Sequence, residues 1–285
     1  MRKEQDLIKL KKKAIALRKD ILKMLYLAGS GHPGGSLSLV EIMTCLFYYE
    51  INYKAKEPKW EKRDKVILSK GHGCPALYAI LSDRGYFKRE ELWTLRQLGS
   101  KLQGHPSIDC PGVEISSGSL GQGLSISNGM ALANKMDKNE ARVYCIIGDG
   151  EMNEGQIWEG AMTASHYSLE NVCLIVDHNK LQIDGPCCDI KDMEILSEKL
   201  QSFGFEVIQA DGHDFSSLIE AFNKARTIKN KPQAIIANTI KGAGISFMEN
   251  KVEWHGVAPN KEQYEKGIEE LEAAFKILKE KNEKV

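Results

Sequence analysis

A doubly wound α/β fold, with a mostly parallel sheet and helices on both faces, is the architecture this sequence predicts. Three observations predict it. Short apolar runs such as VYCII and VCLIV are continuous rather than alternating, the mark of strands buried on both faces. Several of these runs end in a glycine- or asparagine-containing turn. Helical stretches separate the runs, as crossovers between parallel strands require.

The elements follow in order. Residues 5–28 set Leu7, Leu10, Ala14 and Leu17 at helical spacing against Lys9, Lys12 and Lys13, and stop at Gly29-Ser30-Gly31. SGHPGGSLS is a glycine-rich turn, and an apolar helix follows it through Tyr49. KVILSKGHG is a buried strand running into a second Gly/His turn, and PALYAILSDRG is a helix. Residues 88–98 are helical, and LQGHPS is a third Gly/His turn. VEISSGSLGQG opens a helix through Met136, and the strand RVYCIIGDG opens one through about Tyr167. NVCLIVDHN, FEVIQADG and QAIIANTIKG are further strands, with FSSLIEAFNKARTIK the crossover between the last two. Residues 261–284 form a charged terminal helix. Without repeats or a low-complexity linker, the 285 residues read as a single domain: an N-terminal helix at about 5–28, a core at about 29–259 and a tail at about 260–285.

Composition excludes several function classes. Lys plus Arg number 39 and Asp plus Glu number 39, a formal net charge of zero, so neither nucleic acid nor an acidic membrane is an expected partner. Seven cysteines occur without a Cys-x-x-Cys, and the adjacent Cys187-Cys188 pair is too cramped for an ordinary structural disulfide. A reducing compartment fits that usage. No apolar run approaches the ~20 residues that span a bilayer, and the first residues lack the apolar core of a signal peptide. The expected location is the cytoplasm.

The chemistry concentrates in the turns. In RVYCIIGDGEMNEGQIWE an apolar strand ends in Gly148-Asp149-Gly150, and Glu151, Glu154 and Glu159 follow. A glycine turn after a strand is where backbone N–H groups cradle a phosphate, yet Asp149 would repel one. Asn179 closes the next predicted strand; if the two strands are neighbours, the two side-chain oxygens converge. Oxygen ligands with phosphate filling the remaining positions suit Mg²⁺, which would lie between carboxylate and a diphosphate. An EF-hand fits poorly, because twelve-residue loops from Asp149 or Asp177 end at Gly160 and Cys188 rather than Glu. A dinucleotide fingerprint fails too, since Asn153 replaces its third glycine and GSLGQG reverses the spacing. Four of the seven histidines (His32, His72, His105, His255) lie beside glycine in turns, where imidazoles serve proton transfer near neutral pH. His166, His178 and His213 read as structural.

The combination GDGEMNEGQIWE…VDHNKLQIDG resembles the thiamine diphosphate motif, and with SGHPGGSLS, KGHG, QGHPS, GVEISSGSLGQGLS and WHG the chain resembles the transketolase family from about Ala28 to Pro259. The resemblance implies thiamine diphosphate with Mg²⁺, or Ca²⁺ or Mn²⁺ in its place, held by Asp149, Asn179 and the Leu181 carbonyl. It implies diphosphate contacts from Gly150 and His72, aminopyrimidine contacts from Gly118 and Leu120, and packing of Ile183 on the thiazolium. His32, His105 and His255 would line the substrate channel as acid, base and hydrogen-bond donors, with His255 also touching the cofactor. Glu154, grouped with the cofactor residues, and Glu159 match acidic residues facing the partner domain. Two departures bear on donor contacts: Ser119 stands where the family has Pro, and VEWHG replaces a stretch carrying another histidine.

The resemblance also implies a split enzyme. The family's second domain supplies a pyrimidine-protonating glutamate and a phosphate clamp, and no candidate for them follows Pro259. A C-terminal transketolase subunit is therefore expected as partner, in a heterotetramer with two copies of each chain, acting on sugar phosphates in the pentose phosphate pathway. The chain alone is expected to be inactive. The alternatives are a subunit for an unusual sugar, the alpha subunit of a 2-oxoacid dehydrogenase, and a dinucleotide-binding oxidoreductase or non-catalytic module.

Overall fold

In a computed structural model, which describes residues 2–193 and 195–283, the strands form one parallel sheet. Its strands are β1 (Lys65–Leu68), β2 (Val143–Gly148), β3 (Val172–His178), β4 (Glu206–Asp211) and β5 (Gln233–Asn238), in the spatial order β1-β2-β3-β5-β4. β2 is buried along its whole length, and β3 is buried up to His178. This is why both read as unbroken apolar runs rather than alternating ones. Alternate residues feed two cores: Tyr144, Ile146, Cys173 and Ile175 face one layer, while Val143, Cys145, Ile147, Leu174 and Val176 face the other.

The first layer contains α1 (Arg2–Ala28), α2 (Pro33–Leu37), α3 (Val40–Cys45) and α4 (Cys74–Asp83). On the opposite face lie α5 (Gln122–Met136) and α6 (Gly155–His166). After β3 come a short turn of helix, α7 (Cys187–Ile190), and α8 (Leu196–Ser202), which packs with α5 and α6. The crossover α9 (Phe215–Thr227) returns to the first layer, and α10 (Lys261–Glu283) packs along α1, with Tyr26 stacked on Tyr264 at 4.5 Å. A buried ion pair ties that layer together. Arg18 of α1 donates to both Glu41 oxygens of α3, at 2.5 and 2.8 Å, and to the Ala243 carbonyl beyond β5, at 2.8 Å.

The structure corrects three expectations. The segment SGHPGGSLS is not all turn: α2 starts at Pro33, and all five of its residues are buried, so packing overrides two glycines of low helix propensity. Residues 88–98 hold only a 3₁₀ helix, Arg89–Thr94, because the chain reverses at Arg96, whose φ is +62°. The apolar helix through Tyr49 is α3 followed by a π turn, Leu46–Glu50, in which the Ile51 N–H reaches the Leu46 carbonyl at 2.9 Å. The first helix begins at Arg2 rather than residue 5, and Lys284 lies outside the described residues.

The layers explain where a cleft opens. Leaving β1, the chain turns through Gly71–Gly73 into α4 on one face; leaving β2, it turns through Gly150–Asn153 into α6 on the other. Connections that part to opposite faces leave a crevice at the strands' carboxyl ends.

Candidate cofactor and active site

In that crevice lies a cleft of about 440 Å³. Every residue singled out in the sequence as a cofactor, metal or substrate candidate lines it: His32, His72, His105, His255, Gly118, Leu120, Asp149, Gly150, Glu154, Asn179, Leu181 and Ile183. β2 and β3 are neighbours, with Gly148 paired to Asp177, so Asp149 and Asn179 leave adjacent strand ends as expected. Glu159 is exposed on α6 and does not line the cleft.

The Asp149 carboxylate is 2% exposed and accepts the N–H groups of Gly150 at 2.7 Å and Lys180 at 2.5 Å. Burial first, and the nearby Asp177 charge second, push its pKa upward. The Asn179 amide oxygen accepts the Leu181 N–H at 3.2 Å, and amide and carbonyl oxygens each have room for a second interaction. One buried carboxylate beside an amide and a carbonyl oxygen fits a hard cation that keeps other ligands from phosphate and water. Among the described residues, no three His, Cys, Asp or Glu side chains gather into a metal cluster. Such a cation would therefore depend on the Asn179 and Leu181 oxygens.

Two lysines that no motif had marked lie in the cleft, both at strand carboxyl ends. Lys70, 1% exposed, donates to Asp177 at 2.5 Å; Asp177 also accepts Ser38 Oγ at 2.7 Å and Thr239 Oγ1. Burial opposes the Asp177 charge, but the Lys70 ammonium holds its pKa below the usual carboxylate range. Lys241, 2% exposed, donates to the carbonyls of Leu181 (3.2 Å) and Gln182 (3.3 Å) and to His255 Nδ1 (2.8 Å). Burial, then the neighbouring Lys70 charge, lowers its pKa to about 8. The signal in the sequence was a lysine directly after an apolar strand and directly before glycine, in SKG and IKG. Glu151 has a framework role: its carboxylate accepts Ser69 Oγ and the N–H groups of Gly121 (2.9 Å) and Gly148 (3.2 Å), pinning three loops together.

The four glycine-flanked histidines converge. Ring centroids separate His32 from His72 by 5.3 Å, from His255 by 5.5 Å and from His105 by 6.5 Å, and His72 lies 5.3 Å from His255. Gly118, at φ +150°, is needed here: a Cβ there would stand 3.2 Å from the His105 ring. Burial lowers all four pKa values, reinforced by Lys70 at His72, Lys241 at His255 and Arg96 at His32 and His105. The values reach about 2 for His72, about 3 for His255 and about 4 for His32. These rings are neutral at pH 7, not poised at neutrality as the expectation for imidazole held. His213 instead bonds Glu41 (2.9 Å) and the Ile240 N–H (2.8 Å), His178 pairs with Asn238, and His166 packs on Tyr167, all away from the cleft.

Among the described residues, the cleft also holds three buried polar atoms with no hydrogen-bond partner, His32 Nδ1, Asn153 Oδ1 and Gln182 Nε2. Such atoms are rare in folded proteins, and here they call for a polar ligand. A cleft with two buried ammonium groups, free amide and imidazole edges, and an unneutralised carboxylate suits an anion brought with a divalent cation.

Comparison with known proteins gives the same direction. Residues 10–280 match the family model described as transketolase, thiamine diphosphate binding domain. One of the two chains named as an apulose-4-phosphate transketolase in Phocaeicola vulgatus is 40% identical over 93% of this chain and 94% of its own length. The 6-deoxy-6-sulfo-D-fructose transketolase subunit of Clostridium sp. is 42% identical over 93% of this chain and 97% of its own length. Human transketolase is 40% identical over 94% of this chain but only 43% of its own length. Campylobacter jejuni transketolase superposes with a TM-score of 0.88 at 35% identity, over 92% of this chain and 42% of that one. This chain thus spans less than half of those larger transketolases and nearly all of the relatives that are themselves named as single subunits.

Proposed function

This chain belongs to the transketolase family through its thiamine diphosphate-binding domain, and on that premise we propose that it is the diphosphate-binding subunit of a two-chain transketolase. Its reaction moves a two-carbon ketol unit from a ketose phosphate to an aldose phosphate. The observation that carries this reading is the meeting of Asp149 and Asn179 with four neutral imidazoles in one cleft. The match to relatives named as transketolase subunits, along nearly their full length, supports the two-chain form.

In this reading Asp149, Asn179 and the Leu181 carbonyl hold Mg²⁺, and His72, Gly150 and Lys241 meet the diphosphate. Gly118, Leu120, Ile183 and Glu154 line the rest of the cofactor's bed. When bound, the cofactor supplies the nucleophilic carbon that takes up the ketol unit. The chain's own part is proton management and alignment. Because His255 Nδ1 accepts from Lys241, its neutral ring carries the proton on Nε2 and offers an N–H donor. His32, whose Nδ1 is unpartnered, and His105 at the rim take up and return the substrate hydroxyl proton. Neutral rings favour this exchange, since a cationic imidazole could not accept a proton.

The C-terminal partner subunit contributes the pyrimidine-protonating glutamate and the phosphate clamp, with two copies of each chain in the assembly. A second reading keeps the chemistry and changes the sugar. Relatives are named for apulose 4-phosphate and for 6-deoxy-6-sulfo-D-fructose, so an unusual ketose is as consistent as xylulose 5-phosphate of the pentose phosphate pathway. A cytoplasmic location and a single folded domain complete the proposal; no described helix is long and apolar enough to cross a membrane. The test is calorimetric binding of thiamine diphosphate to the two chains mixed, with Mg²⁺ and with EDTA. Binding that needs Mg²⁺ is expected, and no binding in either condition overturns the reading.

A further inference from the structure

Gln182 follows Leu181 in a loop built with unusual rigidity. Lys180, at φ +63°, directs its N–H to Asp149 at 2.5 Å. Leu181 bridges Pro186 in antiparallel fashion, the Gln182 N–H reaches the Gly185 carbonyl at 2.8 Å, and the Cys187 N–H reaches the Lys180 carbonyl at 2.9 Å. From below, the Lys241 ammonium holds the carbonyls of Leu181 and Gln182. The backbone of Gln182 is thereby fixed on both sides.

Its side chain lies across Gly150. A Cβ added at Gly150 would stand 3.0 Å from Gln182 Cγ, 3.3 Å from Cδ and 3.5 Å from Oε1. The Cys187 thiol runs alongside, close to both Gln182 and Asp149. Yet Gln182 Nε2 is buried and has no hydrogen-bond partner among the described residues. A buried amide donor left unmade is costly, and this one faces the turn in which a strand hands over to glycine. Among the groups a ligand could bring, a phosphate oxygen satisfies such a donor best, because it accepts several hydrogen bonds and carries charge.

We propose that the Gln182 side-chain amide is a cofactor-binding donor, its Nε2–H group directed to a diphosphate oxygen above Gly150. The inference rests on the thiamine diphosphate reading above and adds a residue to it. No glycine-turn signature marks it, since the position is defined by the loop's closure rather than by a motif.

Isothermal titration of the chain mixed with its C-terminal subunit, in Mg²⁺, tests it with two probes: thiamine diphosphate and inorganic diphosphate. Gln182→Leu should weaken both by about ten- to a hundredfold, the usual worth of one hydrogen bond to a charged group. Gln182→Glu should weaken them further, and Gln182→Lys, which restores a donor, should bind within a few-fold of the unaltered protein. Near-ultraviolet circular dichroism checks that each variant is folded. Unchanged affinity in folded Gln182→Leu would overturn the inference while leaving the cofactor reading intact. Failure of the unaltered protein to bind either probe would overturn both.

Discussion

The hydroxyl of Tyr78 lies 3.0 Å from the carbonyl oxygen of His105, and equally close to that of Gln103. Tyr78 is fully buried in α4, so the loop carrying an exposed imidazole is moored to the first core. Removing the hydroxyl leaves the core filled but loosens that mooring. Tyr78→Phe should bind thiamine diphosphate normally yet lower kcat/KM for the donor sugar about three- to tenfold, near the worth of one neutral hydrogen bond. His105→Ala should also spare cofactor affinity and cost more, on the order of 10²-fold or greater in donor turnover. Steady-state kinetics of the assembled enzyme rank the two; equal losses would separate Tyr78 from His105.

Asp149 is a buried carboxylate that accepts two backbone N–H groups and whose charge is opposed by Asp177. Without a cation it gains little from being there. Asp149→Ala should therefore abolish retention of thiamine diphosphate while shifting the cofactor-free melting temperature by only a few degrees. EDTA applied to the unaltered protein should reproduce the binding loss. Tight cofactor binding by the variant would remove Asp149 from the metal site.

The histidine cluster gives an acid limb with a defined sign. Folded pKa values of about 4, 3 and 2 for His32, His255 and His72 lie below the unfolded value of about 6.5. Depressed values mean stability that is complete above pH 6.5 and lost as pH falls from there through the folded values. In NMR titrations of the cofactor-free chain these three rings should keep neutral-form shifts down to pH 5. A midpoint near 6.5 would contradict the burial described.

A second acid loss belongs to Glu41. Burial would raise its pKa, but Arg18 and His213 hold it at about 2, against an ordinary 4.5. Its stabilisation is present above pH 4.5 and lost as pH falls through 2, on the order of 3 kcal/mol in all. Glu41→Ala should remove that portion of the pH dependence and, by leaving Arg18 buried without its carboxylate, destabilise the chain by about 3–5 kcal/mol. Denaturant melts at pH 7 and pH 3 measure both.

Much of this was legible in the sequence because it depends on local chemistry. Strands buried on both faces must be continuously apolar, so β2, β3 and β5 could be read directly, and glycine turns marked where the strands end. Asp149 and the four cleft histidines were visible for the same reason. What stayed hidden depends on distance. The insertion of β5 between β3 and β4 follows from which face each crossover packs on. α2 was masked by its glycines, because burial rather than propensity makes it a helix. Lys70 and Lys241 looked like ordinary lysines until the fold placed them at strand ends under the cleft. The histidines' depressed pKa values arise from those same lysines and from burial.

The measurement that bears most directly on the central claim is ketol transfer from a panel of ketose phosphates to ribose 5-phosphate, with saturating thiamine diphosphate and Mg²⁺. It compares this chain alone with the chain plus its C-terminal subunit. No turnover alone and turnover in the mixture is the predicted result, since half of each site would reside on the partner. Turnover by this chain alone would contradict it.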